Sequence, residues 1–178
     1  MNNELPWMKI ARSYLGIKEI KGQKTNPEIQ KMLSSMGKYS KEDKAWWKDD
    51  ETPWCGLFVG FCLGEGGRFV PKNWYRALAY KDAGMRKLAK PCYGAIAVFS
   101  RTGGGHVGFV VGKSKTGKVL ILGGNQNDAV SIKAFDMQAG EYFWASHWIS
   151  AEALRGSPRP DRYDLPVFDN AQAAEKLV

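Results

Sequence analysis

Three cysteines and two histidines are the side chains from which this chain could build a thiol nucleophile and its base. Cys55 stands in Thr52-Pro53-Trp54-Cys55-Gly56-Leu57-Phe58-Val59-Gly60-Phe61-Cys62. Pro53 ends whatever precedes it, and the apolar residues that follow recur at helical spacing, so Cys55 is expected in the first turn of a buried helix. Unpaired N–H groups and the positive end of the helix dipole are expected to lower a thiol pKa there. The bland alternative is a buried structural cysteine. A thiol nucleophile needs a base and a group that holds the base's other nitrogen. His106 follows Gly103-Gly104-Gly105 and opens a strand, with little bulk around its imidazole and room for a substrate backbone to approach. Its other reading is a strand-edge residue kept for turn geometry. His147, between Ser146 and Trp148, reads as a packed or surface residue. Asn125, at the end of the strand after His106, is placed to accept from the imidazole if the two strands form a hairpin. Gln126 and Asp128 are the alternatives, and Asn125 would equally serve a tight turn.

The elements that must position these groups change character along the chain. Residues 6–16 read as an amphipathic helix, with Trp7, Ile10, Ala11, Tyr14 and Leu15 on one stripe and Gly16 as its stop. Asn26 and Pro27 open a second helix as N-cap and first residue. Lys38 to Glu51 turns polar and reads as a long surface loop. After the Cys55 helix, residues 73–80 form another helical candidate with Asn73 as cap. From Tyr93 the period shortens. Strands are predicted at 95–99, 106–112, 119–122, 129–135 and 142–149. Helices followed by an antiparallel sheet of about five strands define an α+β class. The expected organisation is one domain over residues 1–156, then a Pro-rich tail from 157 to 178 with a short helix at 169–177.

Composition narrows the function classes. At 178 residues, 44% hydrophobic and 12% aromatic, the chain suits a globular domain with a proper core. A formal charge of +8 favours anionic partners, yet no nucleic-acid motif appears. Cys55 and Cys62 are separated by roughly 10 Å of helical rise, too far to bridge. An odd cysteine count fits a reducing compartment. Two histidines and three cysteines never fall at zinc-ligand spacing. Asp49-Asp50-Glu51 supplies too few ligands for a calcium loop. No metal and no cofactor is therefore expected. Neither a signal peptide nor a membrane span is visible, so a soluble chain without an export signal of its own is expected.

Pro-Trp-Cys-Gly-Leu-Phe-Val before a helix, Gly-Gly-His-Val-Gly-Phe-Val on a strand and Leu-Gly-Gly-Asn-Gln on the next resemble the CHAP-type, papain-like peptidoglycan hydrolases. Among these, the chain resembles small single-domain members found in phages and prophages. The resemblance covers roughly residues 5–150 and implies a papain-like arrangement of helices on a sheet. It implies Cys55 as nucleophile, His106 as base and Asn125 as orienting residue, acting on an amide bond of cell-wall peptide. Trp54, Gly104, Gly105 and Gln126 are expected to line the substrate cleft, and the Cys55 N–H is a candidate oxyanion donor. The role this implies is a monomeric endolysin made in the bacterial host's cytoplasm and acting on the wall after release. A toxin with the same chemistry and a non-catalytic cell-wall-binding module are the competing readings.

Overall fold

Helices come first and strands after, as the change of period predicts. The computed structural model describes residues 4–22, 24–39, 47–50, 52–146 and 156–176. Helix α1 spans Pro6–Ser13, with Pro6 in its first turn and Trp7, Met8 and Ala11 buried. The Trp7 indole N–H donates to the Gly94 carbonyl at 2.9 Å, so α1 is tied to the start of the sheet. Helix α2 spans Pro27–Ser35, and the Asn26 side chain caps it by accepting the Glu28 N–H at 2.8 Å. Helix α3 spans Cys55–Glu65, and every residue from Cys55 to Gly64 is buried. A helix apolar on all sides must be covered on all sides. Here α1, α2 and the sheet do so.

The sheet holds β1 (Lys87–Leu88), β2 (Ile96–Arg101), β3 (Gly104–Ser114), β4 (Val119–Gly123), β5 (Ser131–Phe135), β6 (Gly140–Phe143) and β7 (Val167–Phe168). Strand order is β1-β6-β2-β3-β4-β5, with β7 added in parallel beyond a register shift in β3. The remaining pairs are antiparallel. The predicted hairpin holds: Phe99 faces His106 across β2 and β3, and Phe109 faces Leu122 across β3 and β4.

The α+β class stands, and the seven strands exceed the five expected because β1 and β7 are too short to leave a period in the sequence. Residues 73–80 depart further. Asn73 is left-handed at φ 57° and Arg76 is extended, so only Ala77–Tyr80 closes a 3₁₀ turn. The cause is tertiary. A Cβ at Gly56 would lie 2.6 Å from the Trp74 and Tyr75 carbonyl oxygens, so α3 and this segment meet backbone to backbone. The Tyr80 hydroxyl seals the contact by donating to the Gly56 carbonyl at 2.8 Å.

Of the predicted 38–51 loop, residues 40–46 and 51 lie outside the described part. Asp50 is wholly buried, and its carboxylate accepts the Ile20 and Asn26 N–H groups at 3.1 and 2.8 Å. The strand predicted at 142–149 is β6, displaced to 140–143. His147 lies outside the described residues. The Pro-rich stretch lies along the domain. Glu175, at the end of α4 (Ala171–Glu175), accepts the Ile132 N–H on edge strand β5 at 2.7 Å.

Candidate active site

Cys55 opens α3, as its sequence context predicts, with Trp54 in the cap position. Its thiol is buried at 7% exposure. Burial pushes its pKa up, against the opposing pull of backbone hydrogen bonds from Val107, Gly56 and Cys55 itself and of the Arg101 charge. The helix start does favour thiolate, as expected, but desolvation outweighs it. The expectation of a lowered thiol pKa is corrected accordingly. The Val107 contact is informative in another way, because it sets the sulfur beside the peptide that joins His106 to Val107.

His106 sits on β3 with its ring stacked on Phe135 at 5.4 Å between centroids, and Phe135 stacks in turn on Phe99 at 4.4 Å. Its Nε2 lies 3.0 Å from Gln126 Oε1. Gln126 is 3% exposed, and its amide nitrogen faces three carbonyl oxygens, those of Ile121, Gly123 and Ser131, at 3.3, 3.3 and 2.5 Å. A nitrogen so surrounded must be the donor end, which turns the amide oxygen toward the imidazole. That oxygen can only accept, so Nε2 carries the proton and Nδ1 keeps its lone pair. Burial lowers the His106 pKa to about 4, with Arg101 and Lys133 adding to the effect and the Gln126 bond opposing it. The ring is neutral at ordinary pH.

The residue on the imidazole is thus Gln126, where Asn125 was expected. Asn125 takes its alternative reading as a turn residue, left-handed at φ 55°. Its amide donates to Glu19 Oε1 at 2.5 Å, away from His106. The same Glu19 oxygen accepts the Trp54 indole N–H at 2.6 Å. One carboxylate therefore joins the residue before Cys55 to the residue before Gln126. The segment is held further by a bridge between Lys18 and Ala129 and by the Glu19 N–H bonding the Asp128 carbonyl at 2.8 Å. Sequence reasoning did not find Glu19, which lies 35 and 106 residues from these partners. The glutamate stands alone in a basic connector with no motif around it.

Trp54 is fully buried and does not line a cleft. It packs under Gly124, where a Cβ would stand 2.5 Å from the indole, so glycine there lets the turn close on the ring. Gln126 likewise faces inward. Gly104 and Gly105 do lie on an open cleft of about 600 Å³, with Cys55, Arg76, Leu78 and Arg101 among its other lining residues. Cys62 and Cys92 are free and buried like Cys55, but neither lines this cleft. Among the described residues, no three His, Cys, Asp or Glu side chains gather as a metal site. No helix among the described residues is long and apolar enough to cross a membrane.

A buried thiol at the start of a helix packed on an antiparallel sheet, with a histidine on the neighbouring strand whose Nε2 is pinned by a buried amide, defines the class as α+β. Residues 47–125 match the family model of the CHAP domain, which supports a CHAP-type peptidoglycan hydrolase. The match takes in Cys55, His106 and Asn125 and stops one residue before Gln126. The family implies peptidoglycan hydrolysis, as amidase or peptidase, in general terms. No curated protein and no solved structure matches the chain.

Proposed function

We propose that the chain hydrolyses an amide bond of cell-wall peptide through Cys55 as nucleophile, His106 as general base and Gln126 as orienting residue. The observation that carries this reading is the tautomer imposed on His106. Its Nδ1 is left as an acceptor while the sulfur lies against the next peptide of the same strand. Both groups rest neutral, because burial raises the thiol pKa and lowers that of the imidazole. The proton moves as attack proceeds rather than beforehand.

Nδ1 takes the thiol proton as sulfur bonds to the carbonyl carbon, and the carbonyl oxygen becomes an oxyanion. N–H groups at the start of α3, that of Cys55 first, are the donors within its reach. Collapse breaks the C–N bond, and the leaving amine takes the proton from the imidazolium. Water then gives a proton to Nδ1 and attacks the thioester, and the released thiolate recovers that proton. A role in phage-driven lysis is supported by the resemblance of the three motifs to small phage members. Purified peptidoglycan digested with the wild type and with Cys55→Ala tests the reading by mass spectrometry of the soluble fragments. New amine and carboxyl ends should appear with the wild type only. Equal products from both would overturn it.

A further inference from the structure

The cleft above Cys55 runs between two walls, the segment from Asn73 to Asp82 and the β2–β3 hairpin from Arg101 to Gly105. Each wall contributes one arginine, Arg76 and Arg101, and both side chains are exposed. Neither forms an ion pair with an acidic group among the described residues, whereas nearby Lys81 and Lys87 both pair with Glu141. Arg76 lies 5.6 Å over the Tyr75 ring, which steadies the guanidinium without neutralising it. Arg101 is close enough to the site that its charge acts on both Cys55 and His106. The acidic lining residue, Asp82, also borders a second hollow that it shares with Lys72. Leu78, on the first wall and leaning toward Gly105, is 36% exposed and offers an apolar contact.

Two guanidinium groups that pair with no described acid and line a cleft from its two walls suit a planar anion, because the donor fork of arginine matches a carboxylate bidentately and a neutral carboxamide only poorly. We propose that Arg76 and Arg101 form a carboxylate-reading subsite, so that the enzyme selects cell-wall peptides with a free carboxylate flanking the scissile amide over the same peptides in amidated form. This specificity rests on the hydrolase reading of the same cleft, with Leu78 taking an aliphatic part of the peptide.

The test separates binding from cleavage. The Cys55→Ala protein is titrated with a short stem peptide whose carboxylates are free, and with the same peptide converted to carboxamides. The free acid should bind about tenfold or more tightly, as expected when charge-assisted bonds are lost from the amide. Adding Arg76→Gln or Arg101→Gln should weaken the acid form by about tenfold and leave the amide form within about threefold, since only the first uses the fork. Equal affinity for the two peptides, or equal losses on both, would overturn the subsite. Wild-type cleavage of both peptides is followed in parallel. Absence of any Cys55-dependent cleavage would sink the hydrolase reading, while the binding comparison would still decide the subsite.

Discussion

Behind His106 and in front of Cys55 the molecule follows opposite rules. Behind the imidazole, Gln126 is buried, its amide nitrogen faces three carbonyls and its oxygen meets Nε2, while Phe135 covers the ring. In front of the thiol, the cleft is open, its hairpin wall is glycine-rich, and the arginines of both walls stand exposed and unpaired with any described acid. A group that must keep one orientation through a reaction is better fixed by a closed network than by solvent-facing contacts. A surface that must exchange its partner on every turnover keeps its charge unsatisfied until the partner arrives. On the proposed reading, the back wall sets chemistry and the front wall sets selection. Mutations on the two sides should separate in kind as well as in size.

The largest effect belongs to the group between the walls. Cys55→Ala should abolish turnover, a loss on the order of a thousandfold or more, while Cys62→Ala and Cys92→Ala keep most activity. Rates on solubilised peptidoglycan, with thermal melts as a folding control, check this. If Cys62→Ala is the dead variant, the nucleophile is misassigned. Next comes the back wall itself. Gln126→Leu removes the acceptor that fixes the tautomer and should lower kcat by at least about a hundredfold. Asn125→Gly keeps the left-handed turn and removes only the neighbouring amide, so kcat should stay within about fivefold, because the amide makes no bond to the imidazole. The reverse order would restore Asn125 as the orienting residue.

That exchange of neighbours marks where the sequence stopped being legible. The Cys55 helix announced itself through Pro53 and an apolar run, and the β2–β3–β4 meander through its short period and glycine turns. Which of two adjacent amides faces the ring depends on the left-handed backbone at Asn125, and Asn-Gln in a glycine turn leaves that open. Trp54 beside a cysteine looks like a cleft residue until its indole is found under Gly124 and bonded to Glu19. The helix predicted at 73–80 failed because contact with Gly56, not local propensity, fixes its backbone. Short strands β1 and β7 are set by their partners and carry no signal of their own.

Glu19 couples the two regions, and its effect should be intermediate. Glu19→Ala leaves the buried Trp54 indole N–H and the Asn125 amide without their acceptor, a loss of about 1–3 kcal/mol in stability. Glu19→Gln retains an Oε1 that can accept both bonds and should recover most of it. Denaturant midpoints and kcat for the pair check the bridging role. Equal damage from both variants would show that negative charge, not bridging, is what the site requires.

The effect least visible at neutral pH is in stability against pH. Folded His106 binds its proton only near pH 4, whereas an unfolded histidine does so near 6.5. Between these values the unfolded chain holds the extra proton, so acidification favours unfolding, and His106 contributes a stability that rises with pH across that window. Fully expressed, this amounts to no more than roughly 3 kcal/mol. Carboxylates titrate over part of the same range, so the measurement must be a difference. Urea unfolding of the wild type and of His106→Asn at several pH values from 4 to 7 should give two curves that converge as pH falls, with the wild type losing more. Parallel curves would mean that the imidazole is not held neutral by its surroundings. A wild type that gained stability on the variant as pH fell would instead mark a folded pKa raised above the unfolded one, and the resting pair in front of Gln126 would be ionic, with the proton transferred before substrate arrives.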